Sequence, residues 1–298
     1  MLMVVVSGVL ILGIYWWINR YVLTDSRFYD QSEQKAMKKA KPKMSLKDSL
    51  LFIARSKYML CVATIVIAYG ISINLVEVTW KGQLKLAYPT PNEYSTFMGN
   101  FSRMTGMATI FMMFFVTGNV VRKLGWRIAA LITPVVLLIT GAGFFGFMLF
   151  GDALAGWVTY LGTTPLMMAV VFGTIQNIAS KSSKYSLFDP TKEMTYIPLD
   201  QEYKVKGKAA IDVTGARFGK SGGAFIQQVL IITLGSISAI TPYIGVILLA
   251  IIVAWILAAN SLSKQFAAVS AEKDAKDAEA DRVKGGSQAA ERAEAVRT

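Results

Sequence analysis

Long apolar runs alternate with short polar interruptions along this chain, and the runs approach the ~20 residues that carry an α-helix across a bilayer. Seven are legible, at 2–18, 59–76, 104–121, 128–150, 157–178, a weaker one at 209–234, and 236–259. Lipid offers no hydrogen bonds, so a spanning segment must satisfy its own backbone, as a helix does. The pattern predicts an all-α polytopic membrane protein with about seven transmembrane helices. Composition agrees: 54% of the 298 residues are hydrophobic, and the mean hydropathy is +0.45. The first run has the size of a signal peptide but lacks a basic start and a small-residue cleavage site, so it reads as a span.

Charge orients these spans. The loop 19–57 carries Arg20, Arg27, Lys35, Lys38, Lys39, Lys41, Lys43, Lys47, Arg55 and Lys57 against four acids. Arg122, Lys123 and Arg127 fill the loop 122–127, and the loop 179–208 holds six lysines. The intervening loops are almost free of basic residues. Alternate loops are therefore basic, and the positive-inside rule places Met1 outside and the C-terminus in the cytoplasm. Topology accounts for the net charge of +12, and no nucleic-acid partner is needed. The expected organisation is a transmembrane helix at 1–18, a basic cytoplasmic linker at 19–57 and a six-helix transmembrane half at 58–262. A charged, Ala-rich cytoplasmic tail follows at 263–298, either a solvated helix or disordered.

Several chemistries are excluded. A lone cysteine, Cys61, rules out a disulfide framework and Cys-based metal sites. The absence of histidine removes zinc proteases, imidazole bases and His pH switches. No metal or cofactor is expected, and no nucleophile–base pair stands among the membrane residues, so transport is better supported than catalysis. The GKS within GARFGKSGGAF (215–225) invites a nucleotide-binding P-loop reading. That motif needs four residues between its first Gly and GKS, but Gly215 leaves only three and Thr214 stands where the Gly should be. Those residues fall inside an apolar run and are expected to be helical.

Polar side chains within a membrane are costly and point to function unless they lie at an end. Runs one, four and seven carry no internal charge. The second ends with Asn74, Glu77 and Lys81, the third opens with Arg103, the fifth ends with Gln176 and Asn177, and the sixth holds Asp212, Arg217, Lys220, Gln227 and Gln228. On a helical wheel Arg217, Lys220, Gln227 and Gln228 share one stripe about 120° wide. Gly215, Gly219 and Gly223 lie opposite, a small-xxx-small row suited to close helix packing. Blander roles exist for each charge: Arg217 snorkelling to the cytoplasmic interface, Lys220 paired with Glu77, Glu77 capping its helix, Arg103 in a structural pair. A cavity holding Arg103, Lys220 and Arg217 would suit a multiply charged anion whose oxygens offset the cost of buried cations.

The stretch KYSLFDPTKEMTYIPLDQEYKVKGKAAIDVTGARFGKSGGAFIQQ (184–228) resembles the ATP/ADP translocases of plastids and intracellular bacteria, and ISINLVEVTWKGQLK (71–85) agrees. The resemblance extends over most of 1–262. It implies a major-facilitator-like architecture of two six-helix halves, of which this chain would carry the last helix of the first half and the whole second half. The missing N-terminal half would then be its partner, with ATP and ADP, phosphate as a further possibility, and the lipid bilayer. It also implies transport roles for Glu77 and Lys220. Arg103, Arg217, Asn74, Gln227 and Gln228 are added from the stripe argument. The implied location is the bacterial inner membrane, with the plastid inner envelope second. ATP/ADP exchange by alternating access is the leading function. Alternatives are a proton-coupled nucleotide or NAD transporter, a membrane enzyme acting on phosphates, and a non-transporting scaffold.

Overall fold

The computed structural model describes residues 2–23 and 46–295. The chain forms two compact units, Met1–Lys43 and Met44–Thr298. The first contains helix α1 (Leu2–Trp17), prolonged by a π-turn over Ile18–Val22. Its apolar side chains, among them Val9, Ile11 and Leu12, are exposed, as befits a helix solvated by lipid. The core of the predicted linker, 24–45, lies outside the described residues.

The second unit begins with α2 (Leu46–Arg55), α3 (Lys57–Ala87) and α4 (Pro91–Met112), the last continued by a π-turn over Met113–Thr117. Then come α5 (Gly118–Leu149), α6 (Gly151–Tyr160) and α7 (Pro165–Ser183), a π-turn over Lys184–Phe188, and α8 (Asp189–Met194). Next are α9 (Gln201–Ala210), a π-turn over Ile211–Gly215, α10 (Ala216–Leu234) and α11 (Ile237–Ala295). No strand occurs among the described residues, so the all-α membrane architecture stands.

Each of the seven apolar runs falls on helix, but the breaks between them differ from expectation. Runs three and four share one helical stretch, Pro91–Leu149. It turns at Gly125, whose φ of 78° and ψ of 171° belong to a region essentially reserved for glycine. One residue thus does the work of the loop expected at 122–127. Run five is cut by a bend: Gly151–Tyr160 and Pro165–Met194 meet at 93°. Gly162 turns the chain at φ 73°, and Thr164 caps the new helix through its Oγ1, which accepts from Met167 N at 3.2 Å. Pro165 at the first helical position completes this start.

The region expected as the loop 179–208 is mostly helix, because α7 passes through its π-turn into α8. The tail continues α11 as helix to Ala295. Among the described residues, four helical stretches are long and apolar enough to cross a membrane, five with the bent pair. Two of the seven expected spans are absent from that tally because runs three and four merge and α10 carries Arg217 and Lys220.

Helix α3 is the hub, packing against α10, α7 and α11, while α4 packs on α7 and α5 on both α7 and α11. The helices with charged or amide side chains inside their apolar runs therefore form a row α4–α7–α3–α10, and behind it stand α5 and α11, whose runs 128–150 and 236–259 carry no charge. Apolar burial gains little in lipid, so small residues and interhelical hydrogen bonds must hold such a row. Both are present. Gly70 of α3 and Gly219 of α10 meet backbone to backbone: a Cβ added to Gly70 would lie 2.8 Å from the Cα of Gly219. On the other side of α3, the buried Trp80 donates from Nε1 to Val170 O of α7 at 3.2 Å.

Candidate functional site

Glu77 lies on α3 about 15 Å along the axis from Ala87, and Phe101 lies about 15 Å along α4 from Pro91. Both are thus well inside the helical stretches that meet at the short turn between Ala87 and Pro91. Glu77 does not pair with Lys220. Its Oε1 accepts Lys81 Nζ at 2.8 Å, one turn on, and Lys181 Nζ of α7 at 3.5 Å. Lys181 also stands over the Phe101 ring, 5.1 Å from its centroid, a cation–π contact. Three helices therefore converge on one ammonium group: α3 through the carboxylate, α4 through the ring, and α7, which carries the lysine.

Lys181 faces a cavity of about 530 Å³, lined also by Phe101, Ser102, Thr105, Gly106, Thr109, Ile110 and Tyr185. The local sequence explains the wall. Phe101, Thr105 and Thr109 recur every fourth residue on α4 and so share a face. Thr109 Oγ1 also lies 3.4 Å from Ser182 Oγ, where α4 meets α7. Beyond the cavity Lys184 pairs with Asp189 at 2.7 Å and sits 4.4 Å from the Tyr185 centroid. Tyr185 lies in the π-turn that follows α7, a helix irregularity often found at functional sites.

The predicted site residues are distributed as follows. Arg103, Arg217, Lys220 and Gln228 are exposed, and none of them lines the cavity beside Glu77. Asn74 is partly buried, its Cβ against Gly223 and its Oδ1 without a hydrogen-bond partner among the described residues. Gln227 is a correction to the stripe: it is buried and donates from Nε2 to Leu75 O at 3.0 Å. It belongs with Gly219 and Gly223 on the face that packs against α3. Asp212 pairs with Lys192 at 2.7 Å, linking α8 to the entry of α10. Among the described residues no group of three or more His, Cys, Asp or Glu could hold a metal.

Sequence reasoning missed Lys181 and the α4 wall. Hydropathy ends run five at Ile178, which leaves Lys181 among the lysines of the expected loop 179–208. The signal available was the spacing Asn177 to Lys181, one helical turn, with no Gly or Pro between Pro165 and Asp189 other than Gly173.

A bundle of long apolar helices, with an ion-paired cluster beside an open cavity of mixed polar and apolar lining, defines a polytopic membrane protein. Sequence comparison gives the family: the profile described as TLC ATP/ADP transporter matches residues 1–266, and the chain belongs to that family. It is 60% identical over 282 residues to "ADP,ATP carrier protein 1" of Chlamydia pneumoniae, covering 94% of this chain and 55% of that one. It is 55% identical over 274 residues to "ADP,ATP carrier protein 2, chloroplastic" of Arabidopsis thaliana, covering 92% and 43%. A protein of Rickettsia bellii, also named "ADP,ATP carrier protein 1", is 47% identical over 266 residues, covering 88% and 53%. The chain spans about half the length of the curated relatives it matches. No solved structure matches it.

Proposed function

We propose that this chain is the last helix of the N-terminal half together with the six-helix C-terminal half of a nucleotide transporter that exchanges ATP for ADP by alternating access. The single observation that carries this reading is the 60% identity to an ADP,ATP carrier over nearly the whole chain. The arrangement of charge supports it. Glu77 and the basic residues Arg103, Arg217 and Lys220 all lie on helices of the row α4–α7–α3–α10. Lys220 and an arginine would meet phosphate oxygens, with Asn74 and Gln228 as polar neighbours and Gln227 holding α10 to α3. The whole function is transport, with no catalytic step. The N-terminal half of the transporter would complete the cavity, 19–57 would be the cytoplasmic linker between halves, and 263–298 a cytoplasmic tail. The bacterial inner membrane is the proposed location.

Exchange has a physical motive. Reorienting a cavity with unneutralised cations through a low dielectric is expensive, and bound nucleotide removes that cost. The test is the full-length gene product in liposomes loaded with ADP or left empty, with uptake of labelled external ATP followed. Uptake that needs internal ADP is expected, and Lys220→Ala should lower it at least tenfold. Equal uptake into empty vesicles, driven by a proton gradient, would replace exchange with proton-coupled transport.

A further inference from the structure

Lys181 is a charge without a full counterpart. Glu77 provides one carboxylate for both Lys81 and Lys181, and the next pair, Lys184 with Asp189, balances itself. The cluster thus carries one net positive charge beside a cavity within the spans, which is costly unless an anion answers it. Of the two partners of Glu77, Lys181 is the looser, at 3.5 Å against 2.8 Å. It is also the one that lines the cavity.

The rest of the wall has a definite hydrogen-bonding sense. Ser102 donates to Met98 O at 2.8 Å, Thr105 to Phe101 O at 2.8 Å and Thr109 to Thr105 O at 2.7 Å. Their protons are committed to the helix, so their oxygens face a ligand as acceptors. Lys181 is a donor, and Tyr185 offers an exposed ring. One ammonium, a row of acceptor hydroxyls and an aromatic face match a molecule with an anionic group at one end and hydroxyl or amino donors at the other. Gly106 keeps the space open: a Cβ there would meet nothing within 4 Å.

We propose that this cavity is a nucleotide subsite in which Lys181 leaves Glu77 to bind a phosphate, while the α4 hydroxyls accept from ribose or base and Tyr185 stacks on the base. The assignment rests on the nucleotide-transport reading and adds to it a phosphate-binding lysine on α7. No bond is made or broken; the ammonium exchanges one anionic partner for another.

The experiment uses the full-length gene product, purified and reconstituted in ADP-loaded liposomes. Initial rates of ATP and ADP uptake against concentration would be compared for wild type, Lys181→Gln, Lys181→Arg and Gly106→Val. Lys181→Gln should raise KM at least tenfold and raise it more for ATP than for ADP, and Lys181→Arg should recover most of the loss. Gly106→Val, which narrows the cavity without touching a charge, should raise KM for both. A Gly106→Val protein with wild-type KM overturns the subsite even where Lys181→Gln fails to fold. Wild-type KM values in both Lys181→Gln and Gly106→Val overturn it while leaving nucleotide exchange standing. Wild-type protein with no nucleotide uptake removes the exchange reading first, and the subsite with it.

Discussion

At Gly219 there is no room for a methyl group: a Cβ would lie 3.0 Å from Gly70 Cα and 3.1 Å from Ile67 O, both backbone atoms of α3. Gly222, on the same helix, would meet only the Ile71 side chain at 3.8 Å. Gly219→Ala should therefore push α10 off α3 and cost about 1–3 kcal/mol, whereas Gly222→Ala should be near neutral. Melting of the purified protein in detergent checks this, and equal melting of the two variants would count against the close approach. The small-xxx-small row was legible in the sequence. The side chosen by Gln227 was not. A wheel places Gln227 about 20° from Lys220, but it also continues the row of fourth residues through Gly219 and Gly223. Packed helices interlock along such rows, so the row and not the wheel decided its burial.

The decisive positions at the level of elements are the breaks. Gly125 separates two predicted spans without a loop because its φ and ψ are closed to other residues. Gly125→Ala should cost about 1–3 kcal/mol and either straighten or weaken the junction, seen as a lower melting temperature and faster proteolysis near Arg122. Wild-type behaviour in both would show that the turn is not constrained. The bend at 161–164 had readable components, Gly162, Thr164 and Pro165, but hydropathy averages across them and reports one span. The same averaging ended α7 too early and left Lys181 in a supposed loop. Helix termini follow local capping chemistry, which an apolar window does not register.

For the whole molecule, the basic and apolar segments alternate in a way that predicts orientation. With Cys61→Ala as background, single cysteines at Pro89 and at Asp200 should label from opposite sides of the membrane. Asp200 should react from the cytoplasmic face and Pro89 from the other, as a membrane-impermeant maleimide applied to intact cells and to inverted vesicles would show. Labelling of both from one face would overturn the proposed topology. The row α4–α7–α3–α10 and its backing by α5 and α11 also belong to this scale. Charge along the sequence had already separated these two groups of helices, since a helix packed between neighbours and lipid tolerates no internal charge while one beside a polar cavity does.

By itself the sequence determined that this is an all-α membrane protein, which helices carry charge, and the family it belongs to. Those follow from segment length, the energetic cost of charge in lipid, and a long matching stretch. Only the tertiary structure decided that Glu77 meets Lys181 in place of Lys220, that Gln227 packs, and that α4 and α7 flank an open cavity. Glu77 and Lys181 are far apart in the chain, and no periodicity within either helix specifies which side chains meet once the helices are packed.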